Sequence, residues 1–442
     1  MTPRSLWLTL LALGCGMLLL QGLGLYLQVT DHYDGVLGVT LTQGCLYLAA
    51  VFCAMRTRVG SRSIVFLVLA VAMLLRVATV GFPPYLSSDM YRYVWDGEVQ
   101  GAGINPYRYA PGDDSLASLR DSVIYPNINR ASYARTIYPP AAQLIFLAVT
   151  RVSPTVLAMK VAMLAFDLAT IFLLLRFLRE LRAPPGQILI YAWHPLVIWE
   201  VAGSGHVDAA LGVFVVAGLL ARHRNMPSLA GFFVALATLV KFLPIAILPA
   251  VYRRWDWRLP AAFAATAICL YLPYLSVGRD ALGFLPNYLG EERLTAGTGS
   301  GYFIVNLLSF LSGWRLPVIV YLAIALLVLA CLSLLAIKDS AKVVGNRYLC
   351  WSLWLATAVL VLVTPHYPWY FIWLLPLVCL VPRWPVLVLT AASFVLYAVL
   401  KERSPDRELA FNSLLYGAFL LAALGQLWVH RMRSRLLENP QV

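Results

Sequence analysis

Charge is what this chain has least of: 12% of its 442 residues are Asp, Glu, Lys or Arg, while 61% are hydrophobic. A soluble domain carries about 25% charged and about 45–50% apolar residues. A single water-soluble core is therefore excluded. Polar punctuation is too sparse for a lipid-facing barrel, whose strands alternate apolar and polar residues. Here the apolar runs are continuous over helix lengths, and helices are then the structures that satisfy the backbone in lipid. Cysteine is absent from the long polar loops. Cys15, Cys45, Cys53, Cys269, Cys331, Cys350 and Cys379 all fall in apolar stretches, which excludes a disulfide framework and offers no metal pattern. Acidic residues are outnumbered, 21 against 34 basic ones. No internal repeat is evident, and no polar stretch is long enough to fold alone. The chain reads as one transmembrane domain over residues 1–442.

What is present is a series of apolar runs of spanning length. They lie near 5–27, 36–55, 63–81, 155–178, 186–201, 207–222, 259–277, 316–337, 347–364, 366–382, 384–400 and 411–429. The first lacks a convincing small-residue cleavage site and reads as a span, not a signal peptide. The stretch 227–252 reads as two short spans turning near Lys241–Pro244. A single crossing would put Arg253, Arg254 and Arg258 on the wrong side. The expectation is an all-α polytopic membrane protein with about 12–14 crossings and both termini cytoplasmic.

The formal net charge of +13 does not form a nucleic-acid stripe. Its clusters are Arg56, Arg58 and Arg62; Arg176, Arg179 and Arg182; Arg222 and Arg224; Arg253, Arg254 and Arg258; Lys338, Lys342 and Arg347; and Arg431, Arg433 and Arg435. All fall on one side of the threading. That is the positive-inside bias, and no nucleic-acid partner is expected.

Two segments are too polar to cross and fall on the opposite, non-cytoplasmic side. One runs over 82–138, and the other, rich in Gly and charge, over 278–301. Between the first and the next span, 139–152 is apolar but short and reads as an interfacial helix. The first loop interleaves Asp89, Arg92, Asp96, Glu98 and Asn105 with Tyr91, Tyr93, Trp95, Tyr107 and Tyr109. Asp89 follows the third span closely, so it is expected at the membrane boundary. There a carboxylate could serve a polar acceptor from water and a lipid-borne substrate together. The other reading of the same residues is a helix-capping aspartate with an interfacial tyrosine belt. Glu200, His206 and Asp208 lie at an outward turn between two spans, Lys241 at the tip of a helix pair, and His366 in TPHYPWY. Ionisable residues in membrane segments are costly and default to functional candidates. Carboxylates beside Lys241, His366 and an arginine suit a general base with an anionic phosphate leaving group.

The stretch SDMYRYVWDGEVQGAGINPYRYAP, followed by TIYPPAAQLIF, resembles the first outer loop of GT-C glycosyltransferases. The closest likeness is to glycosyltransferase family 87 and related mannosyltransferases that use polyprenol-phosphate sugars. HPLVIWEVAGSGHVDAAL, ALATLVKFLPIAILP and TPHYPWYFIWLLPL follow in the family's order, so the resemblance covers roughly 85–440. It implies transfer of a sugar, mannose first, from a polyprenyl phosphate to an envelope acceptor such as a glycolipid or polysaccharide, usually with inversion. It also implies a bacterial cytoplasmic-membrane protein with its active site on the periplasmic side, acting as a monomer among membrane lipids. Asp89 would be the general base. Lys241, His366 and Arg92 would face the donor phosphate. Tyr93, Asp96, Asn105, Tyr138, Glu200, His206, Asp208, Tyr367, Trp369 and Tyr370 would contact sugar or acceptor, with Asp96 also read as structural. No cofactor is expected; if a metal were used, Asp89 with Asp208 would be the pair to hold it. Residues 1–55 have no counterpart in the simplest family pattern and read as an added hairpin.

Two other functions fit a chain of this kind. A lipid-linked-sugar flippase would favour repeats and polar groups at the midplane, whereas here the polar groups gather at one boundary. A glycan ligase or polymerase would place its large loop late, whereas here it is early.

Overall fold

The structure is a computed structural model that describes residues 2–57, 62–295, 300–340 and 345–438, with side chains to Met432. Arg58, Lys342 and the side chains of Arg433 and Arg435 lie outside the described residues. Among the described residues every regular element is helical and no strand occurs.

Helices α1 (Pro3–Val29), α2 (Tyr33–Thr57) and α3 (Arg62–Val80) open the bundle. Thr2 caps α1 by accepting from the Ser5 amide, which satisfies one of the amides a helix start leaves unpaired. Helix α4 (Asp89–Gly101) follows a Pro-Pro-containing turn, α5 (Pro140–Thr150) is short, and α6 (Val156–Glu180) is capped by Thr155. Eight helices among the described residues are long and apolar enough to cross a membrane. The expected number was larger because several passages are built from shorter pieces, for example Pro227–Val240, Arg347–Val363 and Pro368–Leu380.

The stretch 227–252 shows the reason. Its helix stops at Val240, and Lys241 is extended (φ −148°, ψ 142°). Pro244, which directly follows the short Phe242–Leu243 step, disfavours the α conformation before it. The chain then turns back through Leu243–Ile247 and Leu248–Val251. Arg222 Nε donates to the Val251 carbonyl at 2.8 Å, and Arg253 bonds the Asn225 side chain. Both ends of the stretch thus meet at one end of the bundle, and Lys241 stands at the other. By the same logic the described arginines of the expected cytoplasmic clusters gather at a basic end. Asp89, Lys241 and His366 gather at the opposite end.

The N-terminal hairpin is wired into the core. Gln43 Nε2 donates to Gln21 Oε1 at 3.0 Å, Gln21 Nε2 to Thr79 at 2.8 Å, and Trp199 Nε1 to Gln43 Oε1 at 2.7 Å. Near the middle of the bundle, Arg76 and Asp167 pair at 2.5 Å with both side chains fully buried. Arg76 also donates to the Ala72 and Ala192 carbonyls. Removing either partner would leave a buried charge uncompensated, at a cost of about 3–5 kcal/mol. The pair ties α3, α6 and the Leu189–Ala192 turn together, directly beneath the site end.

Candidate functional site

Asp89 is the first residue of α4, where the positive end of the helix dipole favours a carboxylate. The Asp89 amide donates to Ser87 Oγ at 3.2 Å, and Asn129 Nδ2 donates to Asp89 Oδ1 at 3.1 Å. Its side chain is 21% exposed and borders a cavity of about 320 Å³. Arg130, Arg135, Lys241 and Arg403 line the same cavity, with Tyr138, Tyr288, Tyr367, Trp369 and Tyr370. One carboxylate thus faces a ring of cations and aromatic rings.

A second cavity of about 400 Å³ adjoins it and contains His366 and Glu292. Most of its remaining wall is apolar, including Leu243, Leu285, Leu289, Leu294 and Val363. Ile137, Tyr138, Lys241, Tyr288, Tyr367 and Tyr370 line both cavities. A polar chamber and an apolar chamber therefore share one wall, and Lys241 stands in it.

Behind the wall lies a buried polar layer. Lys241 Nζ bonds Asp208 Oδ2 at 2.5 Å and sits 4.8 Å from the centroid of the Tyr370 ring. His206 stacks on Trp369 with centroids 4.3 Å apart. Its Nδ1 is 3.9 Å from Asp89 Oδ2, and its Nε2 is 3.4 Å from Glu200 Oε2. Tyr397 donates to Glu200 Oε1 at 2.7 Å. The local chain explains this placement. A π-helical turn spans Ile198–Gly203, a device frequent at functional sites, and Gly205 then adopts φ +75°. A Cβ on Gly205 would meet Met90 Cε at 1.8 Å, so only glycine lets the chain bring His206 under α4.

His366 does not stand free. Its Nδ1 is 2.5 Å from Glu292 Oε2 and its Nε2 is 3.1 Å from the Gly301 carbonyl. Tyr367 donates to Glu292 Oε1 at 3.0 Å, and Arg403 donates to Tyr367 Oη at 2.8 Å. Arg403 and Arg130 each approach Glu292 at 3.7 Å, and Arg130 pairs with Glu291 at 2.7 Å. Burial pushes the Glu292 carboxyl upward, but the hydrogen bond and charge of His366, with Arg403 behind it, hold it below the usual range. The two polar loops meet here. Gly283 at φ +58° allows the Phe284 amide to donate to the Thr136 carbonyl at 3.0 Å, where a Cβ would lie 1.8 Å from that oxygen.

The expected site residues divide by depth. Asp89, Arg92, Tyr138, Lys241, Tyr367, Trp369 and Tyr370 line the polar chamber, and His366 the apolar one. His206, Glu200, Asp208 and Tyr93 are buried one layer behind. Arg92 borders the cavity, but its guanidinium is engaged by Asp96 at 2.7 Å and by the Ala134 carbonyl at 3.0 Å. Asp96 lies away from the cavity, 1% exposed, and also accepts from Gln143 at 3.0 Å. It fastens α4 to α5 through Gln143 and holds Arg92. Asn105 lies elsewhere: it donates to the Tyr274 carbonyl and to Ser276, and accepts from the Tyr107 amide. It joins the first loop to the second and is not in the lining of either chamber.

Asn129, Arg130, Tyr288, Glu292 and Arg403 were not anticipated. All lie in or beside polar loops, where a charged side chain carries no local mark of function. The density of charge in 278–301 was the one available hint. Among the described residues no three His, Cys, Asp or Glu side chains gather as a metal site.

No curated protein and no solved structure matches the chain. Residues 4–256, more than half of the sequence and including the first two helices, match the family described as alpha-(1->6)-mannopyranosyltransferase, N-terminal domain. With its helices of membrane-spanning length, the chain belongs to that family of GT-C-type mannosyltransferases, and it is a membrane mannosyltransferase.

Proposed function

We propose that the protein transfers mannose from a polyprenyl-phosphate donor to a hydroxyl of a cell-envelope acceptor, with Asp89 as general base. The observation that carries this reading is the shared wall. A lipid-linked sugar phosphate needs an apolar slot for its first isoprene units, a cation at the phosphate and a polar space for sugar and acceptor. The apolar chamber, Lys241 and the polar chamber stand in that order. A nucleotide-sugar donor would have no use for a chamber lined by Leu243, Leu285 and Leu289.

In the reaction the acceptor oxygen attacks the anomeric carbon as Asp89 takes its proton. The bond between that carbon and the phosphate oxygen breaks, and its electron pair leaves on the polyprenyl phosphate. An alpha product formed by one such displacement requires a beta-linked donor. Phosphate is a good leaving group, so charge stabilisation matters more than a general acid. Lys241 supplies it from the wall, oriented by Asp208. Arg130 and Arg403 add to it from the cavity rim, and His366 acts from the apolar side through Glu292. His206 and Glu200 hold the Asp89 side of the site, and Tyr138, Trp369 and Tyr370 offer the sugar aromatic faces. The placement of the basic clusters at the other end supports a site on the non-cytoplasmic face of a bacterial cytoplasmic membrane.

The test is transfer by the purified protein in lipid vesicles, offered a panel of polyprenyl-phosphate sugars and envelope glycolipids, with product identified by mass. The expected result is a product one hexose heavier, made from the mannose donor and absent with Asp89→Asn. Donor movement across the bilayer without any transfer would replace the enzyme reading with a flippase. Transfer from a soluble nucleotide sugar would remove the polyprenyl donor.

A further inference from the structure

At the basic end, about 22 Å from Asp208 along the helix Asp208–His223 at 1.5 Å per residue, lies a third large cavity. Its volume is about 460 Å³, and Arg222, His223, Arg253, Arg254, Arg347 and Asp339 are in its wall. The transfer chemistry makes no use of it.

Its cations have few acidic partners: Asp256 lies near Arg222 and Arg253, but both of its carboxylate oxygens accept from Arg258. Arg222 is 7% exposed, yet it is held by the Val251 carbonyl at 2.8 Å, the Ser340 carbonyl at 3.5 Å and the face of Tyr348 at 5.2 Å, not by a carboxylate. Arg253 bonds the neutral Asn225 amide, and Arg254 lies over the Trp255 ring at 5.3 Å. Asp339, the acid in the wall, already pairs with Arg347 at 2.6 Å and accepts from Trp351 at 2.9 Å. Three arginines converge with no ion pair to a carboxylate among the described residues. Such a cluster attracts a phosphate.

The surroundings decide which kind. The helix Val318–Ser340 ends at this cavity and is little buried along its apolar length; Leu334 is 60% and Leu335 50% exposed. The helix Arg258–Tyr271, which begins beside Arg253 and Arg254, is likewise turned outward, with Ile268 63% exposed. Trp255 and Trp257 are 82% and 73% exposed at the same level, as rings at a headgroup boundary are. A basic pocket opening onto apolar, lipid-facing helices at the positively charged end suits a headgroup with its chains attached.

We propose that this cavity binds one anionic glycerophospholipid. Its phosphate sits among Arg222, Arg253 and Arg254, and its acyl chains lie along Leu334 and Leu335.

The test is native mass spectrometry of the full chain released from detergent after titration with phosphatidylglycerol, phosphatidylcholine or inorganic phosphate. One phosphatidylglycerol is expected to remain bound, and phosphatidylcholine is expected to bind far less. The double variant Arg253→Gln with Arg254→Gln should weaken phosphatidylglycerol retention about thirtyfold, as expected for two arginines near a membrane surface. Its mannosyl transfer in neutral detergent should be unchanged, which also shows that it is folded. A Leu334→Asn and Leu335→Asn variant, with the arginines intact, should weaken lipid retention without creating phosphate binding. Equal retention of phosphatidylglycerol by wild type and the arginine variant overturns the proposal. So does competition by inorganic phosphate at the concentration of the lipid, which would make the ligand a soluble phosphate.

Discussion

The polar and apolar chambers share Tyr138, Lys241, Tyr288, Tyr367 and Tyr370, and beyond that wall their chemistry diverges. On the Asp89 side, Arg130, Arg135 and Arg403 border the cavity in ion pairs with Glu291, Asp280 and Glu292, and each keeps about a third of its side chain in solvent. On the His366 side, the single acid, Glu292, is 3% exposed and surrounded by the groups that neutralise it, while leucines fill the rest. In a water-accessible pocket such pairs stay partly solvated, and an anionic ligand can compete for their cations. A pocket facing lipid tails must pair its charges internally, because an unpaired one costs several kcal/mol there. The difference teaches which part of a ligand each chamber can hold.

The sharpest break of that comparison is at Asp89. Asp89→Asn should lower kcat by about 10²–10⁴-fold, the usual worth of a general base, with expression and melting temperature near wild type. Retention of wild-type turnover would remove Asp89 from the chemistry.

On the same side, Arg403→Ala should lower kcat/KM for the donor by about 10–100-fold, the worth of one charged hydrogen bond. The counterpart across the wall is Leu289→Asn. It should raise KM about tenfold for a long-chain polyprenyl donor, through lost apolar burial, and leave a donor carrying only a short alkyl chain unaffected. Equal effects on both donors would mean that the apolar chamber does not hold the lipid.

A smaller effect concerns Glu292. Its carboxyl is held below the ordinary value in the fold, against the upward pull of burial, by His366 and Arg403. A group lowered on folding stabilises above its unfolded pKa, and that contribution is lost as pH falls through the folded value. Wild type should therefore melt a few degrees above Glu292→Gln at neutral pH, with the gap closing in acid. A constant gap would show that the pairing is not what stabilises this corner.

The smallest change is Ser115→Cys, an exposed position of the first loop. It should leave transfer intact and react with an impermeant thiol reagent in intact cells. Reaction only after lysis would reverse the orientation and exchange the sides assigned to the chambers and the basic end.

Much of this was legible from residue order. Continuous apolar runs announce helices in lipid, and the charge rule alone required the return of the chain near Lys241 that the bonds of Arg222 and Arg253 display. Asp89 stood out because a carboxylate just after a span is expensive without a purpose. Arg130, Arg403 and Glu292 gave no such signal, since charged loop residues are ordinary and their meeting depends on segments more than a hundred residues apart. Asn105 was singled out by its place in a motif, and only the fold shows that its side chain ties the two loops together. Glu200 and His206 were visible as polar residues in an apolar setting, but nothing local told that they lie behind the cavity wall.

By itself the sequence determined an all-helical membrane domain, its basic end, its two polar loops and the carboxylate in the first of them, because hydropathy and charge act residue by residue against a fixed bilayer. Only the tertiary structure decided that two chambers of opposite character abut at Lys241, and which arginines face them. A cavity belongs to no single segment. It is the space left where helix ends and loops from distant parts of the chain pack together.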